Sequence, residues 1–543
     1  MQDLSVRLDS SVSVAPAASL ETERAPVSHV WSDEIEEIAR RRGWAELLGG
    51  EEKIRRQHAT GRSTVRERIL DLLDADSFEE IGALAGFATV SEDGTTVSVM
   101  PANFLFGLGE IDGRRVALGA DDFTIRGGAA DASIMAKQVD SERLAAAMRV
   151  PLVRLVEGTG GGGSVRMVED AGYTYVPANP GWDAVVENLS VVPVVAACMG
   201  PVAGLGAGRV AMSHFSVLIE QVAQMFVAGP PVVKHATGEH LTKEELGGAD
   251  VHRRSGAIDR IVPDEKAALQ AVRDFLSYLP ASVHDVPPVV AGAEPAGSAD
   301  ALADVVPRNR RQPYRLRTIL DAVFDAGSNF EYAGYGASVY TGLARLDGHP
   351  VGVVATDPYK GATMTPNGAD ALTRLIDLCE TFHLPIVSLT DQAGMMIGLQ
   401  AEKSASIRRG ARAVVAAYQA RVPMAEVIVR RVFGVGGAGQ INRHRFSRQW
   451  AWPSGDWGSL PVEGGVEAAY RADLEASDDP EALMAQIHAR LEVARSPFRT
   501  AERYGVQDLI DPRSTREVLV RWVHDAYRVV PELVGPPSFG TRP

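Results

Sequence analysis

Residues 107–116 read Gly-Leu-Gly-Glu-Ile-Asp-Gly-Arg-Arg-Val, and residues 342–351 repeat the pattern as Gly-Leu-Ala-Arg-Leu-Asp-Gly-His-Pro-Val. Each stretch places apolar residues on both sides of a central Asp-Gly pair, which is a strong short-range signal for a turn between two antiparallel strands. The second stretch begins 235 positions after the first, at residue 342 against residue 107. One β-hairpin is therefore predicted to occur twice, once in each half of the chain.

Two further signals follow each hairpin in the same order. Residues 150–153 (Val-Pro-Leu-Val) correspond to residues 384–387 (Leu-Pro-Ile-Val), and each run leads to an acid, Glu157 or Asp391. Glycine turns come next, with Gly-Leu-Gly-Ala-Gly at 204–208 and Gly-Val-Gly-Gly-Ala-Gly at 434–439. These matched signals indicate a duplicated unit. Because short apolar runs alternate with helical segments, each unit is predicted to be an α/β fold with buried parallel strands.

The composition is that of a globular protein with more than one folded domain. The chain has 543 residues, which exceeds what one hydrophobic core usually supports, and 45% of its residues are hydrophobic against 23% charged. A net charge of −15 argues against nucleic acid as a partner. Because Cys198 and Cys379 are the only cysteines, neither a disulfide framework nor a four-thiolate zinc site is expected. Two buried thiols and a cytoplasmic location are predicted.

No segment is predicted to enter a membrane. Residues 1–30 carry four acids and have no sustained apolar core, so they are interpreted as a disordered tail rather than a signal peptide. The longest uncharged stretch, residues 190–208, is interrupted by prolines and glycines. A membrane helix needs about 20 apolar residues without such breaks.

A proline-rich segment lies between the two copies. Prolines at 287, 288, 295 and 307 stand among small residues and aspartates, which is typical of a linker. The predicted divisions are a disordered N-terminal tail at 1–30, an N-terminal domain at 31–283, the linker at 284–313 and a C-terminal domain at 314–543.

Helices are predicted before, within and after the copies. One begins near Ser32, and another begins with the capping box Thr64-Val65-Arg66-Glu67. The remaining predictions are helices at about 130–148 and 367–382, short strands at 152–156 and 386–389, and amphipathic helices at 482–494 and 515–529.

The glycine turns suggest binding of negative charge. Glycine permits positive φ and a close approach of ligand to backbone. At the start of a helix, free N–H groups and the helix dipole favour a phosphate, an enolate or another oxyanion. The spacing at 204–208 is not that of a nucleotide P-loop, and Arg209 breaks the dinucleotide fingerprint. Tight strand–helix packing explains one such turn equally well, but its recurrence at 434–439 favours a functional role.

No familiar catalytic side-chain motif is present. The sequence lacks G-x-S-x-G, H-E-x-x-H and an EF-hand loop, and its histidines do not show metal-ligand spacing, so no metal is predicted. The four glycines at 160–163 predict either a loop beside a ligand or a flexible surface loop. Catalysis is therefore expected to rest on backbone donors, with a reactive cofactor supplying the rest.

Several longer motifs resemble one enzyme family. They are Gly-Arg-Ser-Thr-Val-Arg-Glu-Arg-Ile at 61–69, Ser-Phe-Glu-Glu-Ile-Gly at 77–82, Asp-Phe-Thr-Ile-Arg-Gly-Gly at 122–128, Gly-Pro-Val-Ala-Gly at 200–204, Glu-Glu-Leu-Gly-Gly-Ala at 244–249 and Ala-Trp-Pro-Ser at 451–454. Over about residues 30 to 525 the chain resembles the carboxyltransferase (β) subunits of biotin-dependent acyl-CoA carboxylases, the group that includes propionyl-CoA and methylcrotonyl-CoA carboxylases.

That resemblance implies two tandem crotonase-like domains, each a spiral of ββα units, in a homo-hexamer. It implies that an acyl-CoA binds mainly to the N-terminal domain and biotin to the C-terminal domain of a neighbouring subunit. The sequence has neither a biotinyl-lysine context nor an ATP-grasp domain. Biotin is thus expected on a separate chain, and the implied partners are biotin carboxylase and biotin carrier protein chains.

The resemblance also implies site residues at matching positions. Backbone amides of Gly204, Leu205 and Gly206 are expected to hold the thioester enolate. Those of Gly434, Val435 and Gly436 are expected to hold the ureido oxygen of biotin. Within each set of three residues, either adjacent pair can be the pair of donors. The other expected site residues are Phe123, Arg126, Gly127, Gly128, Lys137, Thr159, Gly160 and Gly161 on the acyl-CoA side, and Gly394, Met395, Met396, Gly398 and Gly437 on the biotin side.

Departures from the family pattern keep two alternatives open. Leu205 and Val435 stand where the family commonly has the middle residue of a Gly-Gly-Ala turn, and Gln392-Ala393-Gly394 stands where many members have Pro-Gly-Phe after the strand-end Asp. One alternative is an acyl-CoA decarboxylase that acts on a malonyl-CoA-type substrate, with or without biotin. The other is a non-catalytic scaffold paralogue.

Overall fold

Two eight-stranded sheets, one in each half of the chain, form the framework of the molecule. The computed structural model describes residues 30–129, 132–158, 168–169, 171–174, 176, 178–332, 334–461, 465–466, 469–538 and 540. The site residues Thr159, Gly160 and Gly161 that were expected on the acyl-CoA side lie outside the described residues, as does the glycine run at 160–163.

The N-terminal sheet has the strand order β1-β4-β5-β6-β7-β8-β10, with β9 beside β7. Its first two pairs, β1 with β4 and β4 with β5, are antiparallel, and the remaining pairs are parallel. The strands β2 and β3 form a separate hairpin. The bounds are β1 Glu79–Ile81, β2 Gly86–Val90, β3 Thr96–Pro101, β4 Phe104–Ile111, β5 Arg114–Asp121, β6 Leu152–Gly158, β7 Val194–Ala203, β8 Phe215–Ile219, β9 Gln224–Phe226 and β10 Arg260–Val262.

The C-terminal sheet repeats this plan strand for strand. Its order is β11-β12-β13-β14-β15-β16-β18, with β17 beside β15, and again only the first two pairs are antiparallel. The bounds are β11 Phe330–Glu331, β12 Tyr340–Leu346, β13 His349–Ala355, β14 Ile386–Gln392, β15 Met424–Phe433, β16 Ser447–Ala451, β17 Asp456–Gly458 and β18 Asp508–Leu509.

The predicted hairpins mark equivalent places in the two sheets. Ile111 pairs with Arg114 across the first Asp-Gly turn, and Leu346 pairs with His349 across the second. Both turn aspartates have positive φ, which the short side chain of Asp tolerates. The duplication, and with it the α/β fold of two tandem crotonase-like domains, is confirmed.

Helices cover the sheets and follow the predicted order. The described α-helices of the N-terminal half are α1 Ser32–Glu46, α2 Glu51–Ala59, α3 Val65–Leu72, α4 Met135–Met148, α5 Trp182–Asn188, α6 Leu205–Ala211, α7 Pro230–Thr237, α8 Lys243–Gly247, α9 Ala249–Ser255 and α10 Glu265–Ser277. Those of the C-terminal half are α11 Leu316–Val323, α12 Pro366–Thr381, α13 Leu399–Lys403, α14 Ser406–Gln419, α15 Gly434–Ala438, α16 Arg471–Glu475, α17 Pro480–Ala494, α18 Pro497–Ala501 and α19 Thr515–Val529.

The predicted capping box at Thr64 is present, and α19 has the predicted bounds. The helix predicted from residue 130 begins later, at Met135. Ile134, the residue immediately before it, has an extended backbone with φ of −104° and ψ of 97°, so the helix does not extend back through this residue. No helix among the described residues combines the length and the apolar character that a membrane span requires.

Aromatic side chains from both halves join the two sheets. Phe215 stacks on Phe275 at 5.0 Å between ring centroids, and Phe330 of the C-terminal half meets Phe215 at 5.1 Å. An ion pair between Asp259 and Arg374, 2.8 Å, also links the halves. Between the sheets, residues 284–313 contain one described regular element, a 3₁₀ helix at Ala299–Leu302. The domain boundaries stay a prediction.

Candidate active site at two equivalent glycine turns

The first glycine turn joins the fully buried strand β7 to helix α6. Gly204 has a φ of +61°, which glycine adopts without strain. Its N–H donates to the carbonyl oxygen of Val227 at 3.2 Å. Leu205 and Gly206 are the first two residues of the helix, where N–H groups have no acceptor within the helix. The N–H groups that are available to a ligand therefore begin one residue after Gly204.

The second glycine turn joins β15 to α15 in the same way. Gly434 again has positive φ, +58°, and Val435 and Gly436 follow it in the first helical turn. Gly436 packs so closely on the neighbouring loop that a Cβ there would lie 2.9 Å from the backbone nitrogen of Met395. Glycine is thus required at 436 because of packing, and the N–H groups of the helix start remain directed outward.

The acid at the end of β14 is fully paired with cations. Asp391 is buried and accepts hydrogen bonds from Arg430 at 2.8 Å and from Arg431 at 2.6 Å. Burial alone would raise the pKa of Asp391, but the hydrogen bonds and positive charge of Arg431 and Arg430 outweigh it and lower the pKa. Asp391 is therefore held ionised and is not suited to act as a general base.

The acid at the end of β6 has the same kind of environment. Glu157 is fully buried and forms ion pairs with Arg62 and Arg68, and Arg68 also binds Glu265 at 2.6 Å. The sequence pattern indicated the two acids but not their arginine partners. For Asp391 a signal was available, since two consecutive arginines in a buried, valine-rich strand require a counter-ion.

The expected acyl-CoA residues that the structure describes lie in two places, a turn at the end of β6 and a separate buried pocket. Phe123 and Gly128 lie at the end of β6, where the guanidinium of Arg62 stands 4.9 Å from the Phe123 ring centroid. A Cβ on Gly128 would lie 2.7 Å from the Cα of Gly158, so only glycine fits there. Gly127 has a φ of +65° beside it. Arg126 is exposed on the same turn.

Lys137 lies apart from that turn, because its side chain is in a separate buried pocket. Its Nζ is 4.0 Å from the Glu80 carboxylate, and Arg66 and Asp122 line the same pocket. Burial lowers the pKa of the Lys137 ammonium. The structure thus places Lys137 against Glu80 rather than at a glycine turn.

Two of the expected biotin-side residues, Gly394 and Met395, pack against the second turn, since a Cβ on Gly436 would lie 3.0 Å from the Gly394 carbonyl carbon and 2.9 Å from the Met395 nitrogen. The Gly394 carbonyl accepts from the Met364 N–H at 2.9 Å, and the Met396 N–H donates to the Met364 carbonyl at 2.9 Å. Gly398 precedes α13, and Gly437 lies within α15. The loop after β14 and the second glycine turn therefore form one surface.

Comparison with known proteins identifies the family. The carboxyl transferase domain family matches residues 56–527. The chain belongs to this family. A propionyl-CoA carboxylase carboxyltransferase subunit from Haloferax mediterranei is 33% identical over 90% of this chain and 95% of its own length. The subunit alpha of methylmalonyl-CoA decarboxylase from Veillonella parvula is 31% identical over 87% of this chain and 91% of its own length.

A solved structure shows the same fold. The transcarboxylase 12S subunit, described as a hexamer with methylmalonyl-coenzyme A and methylmalonic acid bound, superposes with a TM-score of 0.83 at 29% identity and covers 93% of this chain and 97% of its own. The family resemblance and the enzyme class predicted from the sequence are confirmed.

In this carboxyl transferase chain both glycine turns are open to solvent. The side chain of Leu205 is 47% exposed and that of Val435 is 66% exposed. Val227, whose carbonyl oxygen accepts from the Gly204 N–H, is also largely exposed, as is Ile397 in the loop that continues from Met395. Large exposed apolar side chains beside a turn are typical of a surface that another molecule covers.

The carboxyl transferase chain also has a cleft between its halves. The cleft is lined by Ser255, Asp259, Tyr332, Asp370 and Arg374, among others. Among the described residues that line it, none belongs to either glycine turn. The two turns of one chain therefore do not meet in this cleft.

Asp121, at the end of β5, is an ionisable group that the sequence pattern did not single out. Its carboxylate accepts a hydrogen bond from the Glu157 N–H at 3.2 Å. Burial raises the pKa of Asp121 from 3.8 to about 6. The folded chain therefore binds a proton at this carboxyl at pH values where the unfolded chain does not.

We expect Asp121→Asn to raise the thermal midpoint relative to the wild type at pH 8. Because the folded pKa is raised, the wild type loses stability as the pH rises from about 4 to about 6, whereas the amide keeps the acceptor without the charge. The difference should vanish near pH 4 in calorimetric scans. Asp250→Asn, at a side chain that is 94% exposed, serves as the control. A difference between Asp121→Asn and the wild type that does not change with pH would contradict the assignment.

Proposed function

We propose that this chain is the carboxyltransferase component of a biotin-dependent acyl-CoA carboxylase. It moves a carboxyl group between carboxybiotin and the α carbon of an acyl-CoA. The observation that supports this function is the pair of equivalent glycine turns, each at the carboxyl end of a central strand and each at the start of a helix. Such helix starts stabilise negative charge that develops on an oxygen during acyl chemistry.

The N–H groups of Leu205 and Gly206 are the proposed donors to the thioester oxygen. The Gly204 N–H is not available, since it already donates to Val227. By the equivalence of the two turns, Val435 and Gly436 are the proposed donors to the ureido oxygen of biotin. Their helix start is exposed, and the turn carries no side-chain charge that would compete for the N–H groups.

Carboxybiotin, when bound, supplies the carboxyl group and the base that removes the α proton of the acyl-CoA. The chain holds negative charge on the thioester oxygen at Leu205 and Gly206 while the α proton leaves. Neither strand-end acid takes that proton, because Glu157 and Asp391 are both buried in ion pairs with arginines. The chain therefore contributes position and electrostatic stabilisation rather than a side-chain base.

The two turns are proposed to face each other across a subunit interface. Each turn carries an exposed apolar side chain, Leu205 or Val435, and neither turn lines the cleft within one chain. A second copy of the chain would cover this surface and place the first turn of one subunit opposite the second turn of its neighbour. The transcarboxylase 12S structure, described as a hexamer assembly, supports a hexamer here. Biotin carboxylase and the biotin carrier are then separate chains.

The second turn can be tested alone with Val435→Pro. Proline removes one N–H near the start of α15, where the lost group has no helical acceptor and the ring is tolerated. We expect release of CO₂ from a carboxylated biotin carrier to slow by about 10²- to 10³-fold. The rate is followed without acyl-CoA, so that only the second turn is tested.

Val435→Ala is the matched control, since it shortens the side chain but keeps the N–H. It should release CO₂ within a few-fold of the wild-type rate. If Val435→Pro and Val435→Ala both release CO₂ at the wild-type rate, the second turn does not bind the ureido oxygen.

Decarboxylation of a carboxylated acyl-CoA is the second candidate function. The Veillonella parvula relative, named as a methylmalonyl-CoA decarboxylase subunit, is nearly as similar as the carboxylase relative, with 31% against 33% identity. In the decarboxylating direction the first turn would stabilise the same thioester enolate as in carboxylation. No observation on the described residues favours the scaffold alternative.

A further inference from the structure

A cluster of metal-ligating side chains lies on the C-terminal half, away from the glycine turns. Asp347, His349 and His524 place one ligating atom each within 4.8 Å of one another. Asp347 and His349 lie at the turn between β12 and β13, and His524 lies on α19. Asp347 and His524 remain about half exposed, so an ion from solvent can reach the cluster.

The hydrogen bonds of the cluster leave a lone pair on His349, whereas a metal ion would displace the proton that His524 Nε2 donates to Asp347. His349 Nδ1 is 2.8 Å from the backbone carbonyl oxygen of Asp347, which only accepts hydrogen bonds. The ring proton of neutral His349 must therefore be on Nδ1, and Nε2 keeps its lone pair. A metal-ligating histidine usually has its other ring N–H fixed in this way. His524 Nε2 is 2.8 Å from the Asp347 carboxylate, and the two imidazole centroids are 4.8 Å apart.

The duplicated fold provides an internal comparison. At the equivalent turn of the first copy, Asp112 stands in place of Asp347 and Arg114 in place of His349. Arg273, on the helix that packs at that turn, binds Asp112 at 2.6 Å, as His524 binds Asp347. The acid is thus kept in both copies, while both cationic groups of the first copy are imidazoles in the second. Guanidinium groups cannot ligate a metal at neutral pH, but imidazoles can.

We propose that Asp347, His349 and His524 bind a divalent transition-metal ion, with Zn²⁺ as the expected ion. Two imidazoles and one carboxylate are ligands that zinc prefers, at about 2.0–2.2 Å, with a water in the fourth position. Tetrahedral geometry then places the ligand atoms about 3.3 Å apart. Rotation of the half-exposed Asp347 and His524 side chains would bring the ligand atoms from within 4.8 Å of one another to this separation. The ion would fasten α19 to the β12–β13 hairpin.

The site has a structural role rather than a part in carboxyl transfer. His349 begins β13, whereas the second glycine turn follows the end of the parallel strand β15. The cluster therefore lies where the parallel strands of this sheet begin and the turn lies where they end, at least about 20 Å apart along the strands.

The test is a titration of the full-length chain, free of any histidine tag, with Co²⁺ as a spectroscopic probe for the zinc site. We expect visible absorption bands that saturate at one Co²⁺ per subunit and disappear when Zn²⁺ is added. His349→Ala and His524→Ala should each weaken Co²⁺ binding by more than about 100-fold, beyond the 10- to 100-fold that is typical when only a partner of a ligand is lost. Zn²⁺ should raise the thermal midpoint of the wild type but not of either variant.

Asp112→Asn and His488→Ala are the matched controls. The first removes the equivalent acid of the first copy, and the second removes a histidine outside the cluster; both should bind Co²⁺ as the wild type does. The absence of saturable bands in the wild type would overturn the proposal, as would bands that persist unchanged in both His349→Ala and His524→Ala. Circular dichroism of each variant without metal establishes that a loss of binding is not a loss of fold.

Discussion

Replacing Leu205 with proline is expected to lower the rate of carboxyl transfer by about 10²- to 10³-fold, the loss typical for one oxyanion donor. The substitution removes the N–H of the first residue of α6, where proline fits the helix and breaks no helical hydrogen bond. Gly204 precedes it, and glycine accepts the backbone that a following proline requires. The effect should appear mainly in kcat, because the donor acts on charge that develops in the transition state.

Leu205→Ala separates the backbone from the side chain. Leu205 is about half exposed, so its truncation leaves the core intact while keeping the N–H. We expect Leu205→Ala to retain kcat within a few-fold. Leu205→Pro should also release CO₂ from a carboxylated biotin carrier at the wild-type rate, since that step uses the second turn. Normal carboxyl transfer by Leu205→Pro would show that the first turn holds no enolate.

Replacing Asp391 with alanine is expected to lower the free energy of unfolding by about 3–5 kcal/mol, the usual effect of breaking a buried ion pair. The carboxylate is completely buried, and the side chain of Arg430 is only 3% exposed. Without Asp391, the buried Arg430 guanidinium loses its counter-ion, and so does that of Arg431, whose side chain is 21% exposed. Chemical denaturation of the wild type and the variant measures the difference.

Asp511→Ala is the control for this prediction. Asp511 pairs with Arg513 at the surface, where both side chains are about half exposed, so its loss should change the free energy of unfolding much less than the loss of Asp391 does. The pH dependence gives a second check. Because the pKa of Asp391 is lowered in the folded chain, Asp391 contributes to the free energy of unfolding above its ordinary pKa of 3.8. That contribution is lost as the pH falls through the pKa of the folded chain. If Asp391→Ala and Asp511→Ala lowered the free energy of unfolding equally, Asp391 would not form a stabilising buried ion pair.

The repeated architecture was predictable because it rests on local signals. Asp-Gly turns, apolar runs and the capping box at Thr64 depend on residues that are close in sequence, and the structure has each of them where the pattern placed it. The start of α4 was less predictable. The extended backbone of Ile134 places the helix start at Met135, and no capping residue in the sequence marks that position.

The site was predictable only as a set of backbone positions. Glycine spacing indicated two turns, but it could not show that the Gly204 N–H is already bonded to Val227, 23 residues away. Nor could it show that Arg62 and Arg68 reach Glu157 across about 90 residues of sequence. The position of Lys137 next to Glu80 likewise depends on how α4 packs against β1 and its loop. These facts come from tertiary packing, which local sequence patterns do not encode.

Turnover of methylmalonyl-CoA by the purified chain, with and without a biotinylated carrier, distinguishes carboxyl transfer from simple decarboxylation. We expect the carboxyl group to leave methylmalonyl-CoA only when the carrier is present, and to be recovered on the carrier. Loss of the carboxyl group at the same rate without any biotin would contradict the proposed carboxyltransferase function and establish a decarboxylase that acts alone.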